Sequence, residues 1–534
     1  MAVEWGLRGF LDELDEAGEL ARVTESVSLR EVGALIDECP QALLFSEIAG
    51  CGMPLVANVM ASRRRLAVAL GVPPTEIRAE IGRRLECPRP PRTVALGPVK
   101  DVRLIGDQAD LTLLPIHLQH ALDGAPFLSA PMDVTRHPDS GRYNVGVRRL
   151  MLRGPRQTGV DVVSPSDLRG AYRRARELEQ RLEVAFVIGA HPVDYLATQL
   201  RVPCEDEFHL MGALRGEPVP LVECETVDLR VPSDAEVVVE GYLEGDWTNL
   251  EGPYGEYTGY YGAAHRNPLF QVTAITHRAD AVFQTATIGG RNLGHTDTAS
   301  LISVSTEITA WESVRRAVSQ PRQIHCPPCA TGMSHVRIAL AVRDPGDARN
   351  AALAALASGA EIKHAIVVDD DIDVFSAEMV EWALATRFQA DRDLTVLPGM
   401  RTLPLDPSLP PHDGPEVTTA KLALDATRRR DVPADAFGIP GPFQVGRREP
   451  DGIRRDDVER LAEQVMALLA EPMLFAELLE ALPRVHSGDL VRALDRLRAC
   501  SAITMDPHGH YRRTRPDPGA SGAGDHQHNR ARHG

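Results

Sequence analysis

Apolar residues recur near helical spacing at Leu7, Phe10, Leu11, Leu14 and Leu20, then gather in runs at 42–48 and 54–59. This order predicts a helix followed by strands, an α/β opening that we bound at residues 1–109. From Asp110 to about Ile288 the pattern turns strand-like, in the runs FLSAPMDVT, NVGVRRLML, AEVVVEGYL and LFQVTAITH, divided by Gly, Pro and Asp. A mostly β domain is expected over 110–300. One helix interrupts it: Ser166 or Asp167 can cap LRGAYRRARELEQRLE, whose arginines and glutamates read as a solvated face, and the strand VAFVIGA follows.

After a helical stretch near 301–319, the segments HVRIALAVR, ARNAALAALAS, IKHAIVVD and AEMVEWALATRF alternate strand and helix at βαβ spacing. An open α/β domain with parallel strands is predicted over 301–440. Asp369, Asp370 and Asp371 lie just past one strand end and read as solvated carboxylates rather than a magnesium site. Helical periodicity returns in 456–513 and closes on SAITMDPHGHYRR, a helical, winged-helix-like appendage that we bound at 441–513. The tail 514–534, rich in Pro, Gly, Ser, Asp and His, is predicted to be disordered. The fold class is therefore α/β, in a multidomain α+β arrangement.

Composition narrows the function. The 534 residues carry 58 Lys and Arg against 75 Asp and Glu, a formal charge of −17, with no basic patch that would hold a phosphate backbone. Nucleic acid is not an expected partner, and the appendage reads as a packing module. No apolar run approaches the ~20 residues that span a bilayer, and MAVEWGLRGF lacks signal-peptide character, so a cytoplasmic protein is expected. Eight scattered cysteines fit reduced thiols, and Cys326-Pro-Pro-Cys329, with only His325 beside it, reads as a loop with two thiols rather than a zinc site.

The chemistry concentrates in two segments. In LEGPYGEYTGYY, Glu251 and Glu256 flank Gly-Pro-Tyr-Gly, whose residues favour a turn that can bring the carboxylates together. Two carboxyls so placed push their pKa values apart, and one can stay protonated as a donor. In the expected strand Tyr143–Arg149, Arg149 follows Asn144 by five residues and can hold a substrate carboxylate in a bidentate contact, while Gly146 admits a close ligand. Taken alone, two exposed loop glutamates would be the bland reading of the first segment.

Together these residues resemble the UbiD-like decarboxylases, whose hallmark is Asn and Arg in one strand with two acidic residues in a Gly-Pro-aromatic-Gly loop. The resemblance extends over roughly residues 6–430 through LDGAPFLSAPMDVTRHPDSGRYNVG, VIGAHP, AEVVVEGYLEG and KLALDAT. It implies a central split β-barrel of flavin-reductase type. It further implies prenylated flavin mononucleotide as cofactor, its phosphate held through manganese or another divalent ion with potassium nearby. Asn144, Val145, Gly146, Val147, Arg148 and Lys363 match cofactor-binding positions, and Asn144 and Glu207 match metal ligands. The family's metal histidine is missing: Ser164-Pro165-Ser166-Asp167 stands there, leaving Asp167 or His209 as candidates for a third ligand.

The implied reaction is reversible, non-oxidative decarboxylation of an aromatic, heteroaromatic or α,β-unsaturated carboxylic acid. Glu256 is the expected proton donor, with Arg149 and Glu251 orienting the carboxylate. A flavin prenyltransferase would supply the cofactor, and pairing through the C-terminal α/β domain would give a homodimer or larger homo-oligomer. His295 is a candidate pocket residue, and His191 reads as a locally hydrogen-bonded histidine. The competing readings are a non-catalytic flavin-binding or assembly protein of the same fold and, last, a flavin reductase.

Overall fold

The computed structural model describes residues 5–163, 165–410, 417–438, 440–441 and 457–514. The expected disordered tail beyond Thr514 lies outside the described residues. The chain divides into two units, Met1–Val432 and Pro433–Gly534. Among the described residues no helix is long and apolar enough to cross a membrane.

The first helix, Leu7–Glu16, buries Leu7, Phe10, Leu11 and Leu14. Leu20, on the same helical spacing, instead opens the strand Leu20–Val27, because Gly18 takes the left-handed conformation (φ 68°) that ends the helix. That strand joins Ala42–Ile48, Leu55–Ala57 and the distant Phe283–Gln284 in a four-stranded sheet. The N-terminal sheet is thus completed by a segment from the far end of the β-rich middle.

Nine strands, among the described residues, form the central antiparallel sheet. Its spine is the long pair Val237–Glu251 and His265–His277, whose register runs from Val237 opposite His277 to Glu251 opposite His265. Alternation sends Val237, Val239 and Leu243 to one core and Val238 to the other, so the sheet is covered on both faces. Two helices unforeseen in this middle, Pro192–Gln199 and Glu207–Arg215, pack against it, each bringing mainly buried residues.

Arg149 does not sit within one strand with Asn144. The strand ends at Val147, opposite Met132, and a new one runs Leu150–Gly154 with Leu150 opposite Leu128. Arg148 and Arg149 form the corner where the chain leaves one neighbour for another, and the Arg148 N–H donates to the Pro131 carbonyl there (3.0 Å). The interrupting helix is Asp167–Glu177, capped by the Ser166 hydroxyl, which accepts from the Arg169 N–H at 3.3 Å. It stops before the expected end, with Glu179 at positive φ and Leu182–Ile188 already in the sheet.

The C-terminal part of the first unit has a five-stranded sheet with helices Asp347–Leu356 and Ala377–Arg387. Three central strands are parallel, as the βαβ spacing predicts, but Pro321–His325 and Leu394–Arg401 are antiparallel edges. The aspartate triplet is not simply solvated. Asp369 and Asp371 hold the Arg387 guanidinium, whose side chain is 1% exposed, at 2.8–2.9 Å. The second unit has helices Val458–Leu468, Phe475–Ala481 and Ser487–Ala499 and a hairpin, Ile503–Met505 with Tyr511–Arg513.

One buried carboxylate ties the lobes of the first unit. Asp297, fully buried at the start of the Asp297–Ala317 helix, accepts from the N–H groups of Met60 (2.5 Å) and Thr287 (2.7 Å) and from the Thr287 hydroxyl (2.9 Å). Asp297→Ala leaves two backbone donors unpaired in the core, at about 1–3 kcal/mol each. Denaturant unfolding should register that loss, and Asp297→Asn, which retains one acceptor oxygen, should lose less.

Candidate active site

Glu251 ends the longest strand, so its position follows from the register of the central pair. Chain direction then reverses through Gly252–Gly255, and Tyr254–Gly255 pairs with Tyr261–Gly262, returning Glu256 beside Glu251. Glycine makes room for both carboxyls: a Cβ on Gly159 would lie 3.1 Å from the Glu251 Cγ, and one on Gly262 would lie 2.8 Å from the Glu256 Oε1.

The Arg149 guanidinium reaches out from its corner into this pair. Nε and Nη2 donate to the two Glu251 oxygens at 2.9 and 3.1 Å, a bidentate fork, while Nη1 donates to Glu256 Oε1. Asp161 Oδ2 stands 3.4 Å from Nη2, and the guanidinium carbon lies 4.6 Å from the Tyr254 ring centroid. Asn267 Nδ2 donates to Glu251 at 3.4 Å, and the Tyr254 hydroxyl donates to Ser129 at 3.1 Å. Each wall of the cluster is therefore held by a further polar contact.

Charge decides what this cluster can do. Glu251 is fully buried and Glu256 is 4% exposed, and burial pushes both carboxyls above the usual range, with Arg149 pulling back without cancelling the effect. Burial also works against the Arg149 charge, but Asp161, Glu251 and Glu256 outweigh it and hold the guanidinium firmly ionised. Asp161 remains the anion: its burial is offset by Arg149 and by the Val163 N–H at 3.1 Å. Arg149 is the cation within hydrogen-bond reach, Arg148 acts on Asp161 from farther away, and burial still raises both glutamates. Glu256 is the more open of the two: its second oxygen accepts no hydrogen bond from the described residues and the side chain lines a cavity of about 1110 Å³.

A second cavity, about 300 Å³, collects Asn144, Asp167 and Glu207, with Arg142 and His137. Glu207 Oε2 accepts the Val145 N–H at 2.9 Å, and burial raises its pKa, with Asp167 adding to the effect. His209 is not in that wall: its Nδ1 meets Asp206 at 2.7 Å and its Nε2 meets Glu205 at 3.4 Å. Among the described residues no three His, Cys, Asp or Glu side chains converge as a metal-sized group, so a donor set here requires the Asn144 amide oxygen. Below the same strand, Asp133 is fully buried with neither oxygen hydrogen-bonded, 3.5 Å from Arg148 Nε. A Cβ on Gly146 would come within 2.9 Å of it.

The remaining sequence candidates fall into place differently. Val145 is buried, and Val147 pairs with Met132. Lys363 lines neither cavity: its Nζ donates to Asp406 and Ser408, both at 2.7 Å. His295 lines the larger cavity. His191 is a helix cap, its Nδ1 accepting from the Val193 N–H at 3.3 Å and its ring lying edge-on to Trp5 and Phe10. Cys326 is buried and Cys329 exposed. The sequence reading singles out none of Asp161, Asn267, Asp133 and His117, although Asp133 stands within the family-like segment LDGAPFLSAPMDVTRHPDSGRYNVG.

A buried carboxyl cluster around one arginine thus lies beside a large cavity in a mixed α/β chain. Models of the N-terminal, Rift-related and C-terminal domains of 3-octaprenyl-4-hydroxybenzoate carboxy-lyase match residues 11–85, 92–292 and 299–426, in that order. Anhydromevalonate phosphate decarboxylase of Methanosarcina mazei is 31% identical over 423 residues, covering 79% of this chain and 96% of that one. Phenolic acid decarboxylase of Bacillus subtilis is 30% identical over 447 residues, covering 79% and 92%. The UbiD-class enzyme HmfF from Pelotomaculum thermopropionicum, solved in complex with FMN, superposes with TM-score 0.76 at 35% identity, covering 82% of this chain and 97% of that one. The chain belongs to the UbiD family, and it is a decarboxylase.

The cluster makes a pH-dependent prediction. Arg149→Ala strands buried carboxyls, a break worth about 3–5 kcal/mol when they are ionised. A carboxyl whose folded pKa lies above its unfolded value near 4.3 binds more protons when folded, so its contribution to stability falls as pH rises through that interval. Removal of the cation enlarges the interval. Denaturation midpoints should therefore show the variant losing more stability at pH 8 than at pH 5 relative to wild type.

Proposed function

We propose that this chain reversibly decarboxylates an aromatic, heteroaromatic or α,β-unsaturated carboxylic acid with prenylated FMN, and that Glu256 delivers the proton replacing carbon dioxide. The observation that carries the proposal is the Arg149 cluster, with Glu256 at the wall of the large cavity and its pKa raised by burial. Arg149 orients the substrate carboxylate and Glu251 fixes Arg149. Burial keeps the Glu256 carboxyl protonated until it is used. When bound, the prenylated flavin supplies the electron sink that no side chain offers. The second FMN-family structure that supports this cofactor is an evolved dimeric HmfF in complex with prFMN, 33% identical to this chain.

The residues fit such a group. Asn144, Val145, Gly146 and Val147 offer one strand to it and Arg148 the corner that follows, and the buried Asp133 carboxyl opposite Gly146, 3.5 Å from Arg148, carries no hydrogen bond. Oxygen donors from Asn144, Asp167 and Glu207 suit manganese or another hard divalent ion. On this reading Asp167 takes the place of the missing histidine, with potassium as a companion ion. Lys363 has one of its three N–H donors left for a phosphate.

The same reading takes the nine-stranded sheet as a split barrel and the second unit as a winged-helix-like appendage. It also makes a flavin prenyltransferase the source of the cofactor. Homodimers would form through the C-terminal sheet, where Val396 on an edge strand is 53% exposed.

Co-expression with a flavin prenyltransferase should yield a coloured protein that releases carbon dioxide from such acids. Glu256→Gln should keep the cofactor absorption and lose turnover by about 100-fold or more; normal turnover would refute the donor assignment. Asp167→Ala should weaken manganese binding by about tenfold or more in calorimetry of the FMN-loaded protein. Unchanged affinity would remove Asp167 from the ligand set.

A further inference from the structure

Asp161 belongs to the Arg149 cluster by register, yet the proton-donor role of Glu256 assigns it nothing. In the hairpin of Leu150–Gly154 and Gln157–Val160, Val160 lies opposite Leu150, so the next pair outward is Asp161 and Arg149. Neighbours across an antiparallel ladder face the same side, and a slip of one residue would turn Asp161 away. Here the two side chains meet: Asp161 Oδ2 lies 3.4 Å from Arg149 Nη2, the nitrogen that also donates to Glu251 at 3.1 Å. Nη1, the other arm of the same guanidinium, goes to Glu256. One planar cation therefore carries Asp161 and the proposed donor on neighbouring nitrogens.

The aspartate is held in place from several directions. Its Oδ1 accepts the Val163 N–H at 3.1 Å, and its carbonyl accepts from Arg148 Nη1 at 3.4 Å. The next residue, Val162, donates its N–H to Asn267 Oδ1 at 3.1 Å, and Asn267 Nδ2 reaches Glu251 at 3.4 Å. Arg149 does not need a further anchor, because the bidentate fork to Glu251 already fixes the plane and direction of the guanidinium. What Asp161 adds is charge. Burial works against that charge, but Arg149, the Val163 N–H, Arg148 and His265 together outweigh it and hold the carboxyl below its usual range.

We propose that Asp161 is a positioning residue of the reaction, a fixed anion that acts across Arg149 to keep the proton on Glu256 near neutral pH. The proposal deepens the reading of Glu256 as proton donor and rests on it. A like charge disfavours a second ionisation nearby, so Asp161 offsets part of the pull that Arg149 exerts on the glutamates. Burial is the main cause raising Glu256 and Glu251, and Asp161 adds to it in each. The other groups around Glu256 act differently. Tyr254 and Tyr257, in its own loop, are pushed up by burial and stay neutral. His120 and Asp123 pack against Gly255, His265 stands opposite Glu251 on the partner strand, and Arg169 faces Asp161 from the helix that follows. Of the three carboxyls on Arg149, Asp161 is the one that burial does not raise overall, and so the one that repels a charge on Glu256.

The test reads the Glu256 proton itself. In full-length FMN-loaded protein, the infrared protonated-carboxyl band that Glu256→Gln removes is titrated from about pH 4 to about pH 10. In Asp161→Asn, which keeps the shape and an acceptor for Val163, the band should be lost at lower pH than in wild type. Asp161→Glu, which keeps the charge, should return the loss toward the wild-type pH. Asp161→Ser, uncharged and still bearing an acceptor oxygen, reads the same shift should the asparagine variant fail to fold. In prenylated holoenzyme, the ratio of turnover at mildly acidic pH to turnover at mildly basic pH should rise about threefold or more in Asp161→Asn over wild type. A merely structural aspartate would lower turnover at every pH and leave both readings where they are. A band lost at the wild-type pH in the uncharged variants would overturn the proposal. A band that moves while the turnover ratio keeps its wild-type value would count against Glu256 as the donor and leave the proton-holding role of Asp161 standing.

Discussion

The Arg149 guanidinium is shared among Asp161, Glu251 and Glu256 in a site where water is scarce. Burial raises the pKa of both glutamates although Arg149 pulls them down, so the cluster favours the uptake of a proton. Its bidentate hold on Glu251 fixes the cation's direction, while the single contact to Glu256 leaves that carboxyl's other oxygen without a hydrogen bond from the described residues. Stability and chemistry share one cause here. The charge imbalance that would destabilise a buried ion pair is what charges the donor.

The architecture around the cluster keeps this balance in place. A long antiparallel register delivers Glu251 to the end of its strand, and a corner between two short strands aims Arg149 at it. Glycine at 159 and 262 leaves the volume the carboxyls fill. Asp297 joins the loop after Phe283–Gln284 to the N-terminal lobe, where the large cavity finds its other wall. The fold thus presents one carboxyl of raised pKa to a chamber assembled from segments far apart in sequence.

Much of this was legible because the informative residues are local. Glu251 and Glu256 are separated by a turn whose Gly and Pro residues announce it, and Asn144 to Arg149 is a short stretch. The βαβ spacing after residue 330 gave the parallel strands for the same reason. What escaped was tertiary. No pattern marks the break after Val147, because the pairing partner changes from Met132 to Leu128 without a turn residue in the sequence. Asp161 and Asn267 join the site from other strands. Asp369 and Asp371 looked solvated because Arg387, sixteen or more residues later, comes back to them only through the helix that follows.

The central claim is that Glu256 holds a proton at neutral pH inside the Arg149 cluster. Infrared difference spectroscopy of wild type against Glu256→Gln at pH 7 reads that proton directly, through the carbonyl stretch that a protonated carboxyl has and a carboxylate lacks. The account predicts a protonated-carboxyl band in the wild type that disappears in the variant. A wild type with no such band, or a band that survives the substitution, would contradict it.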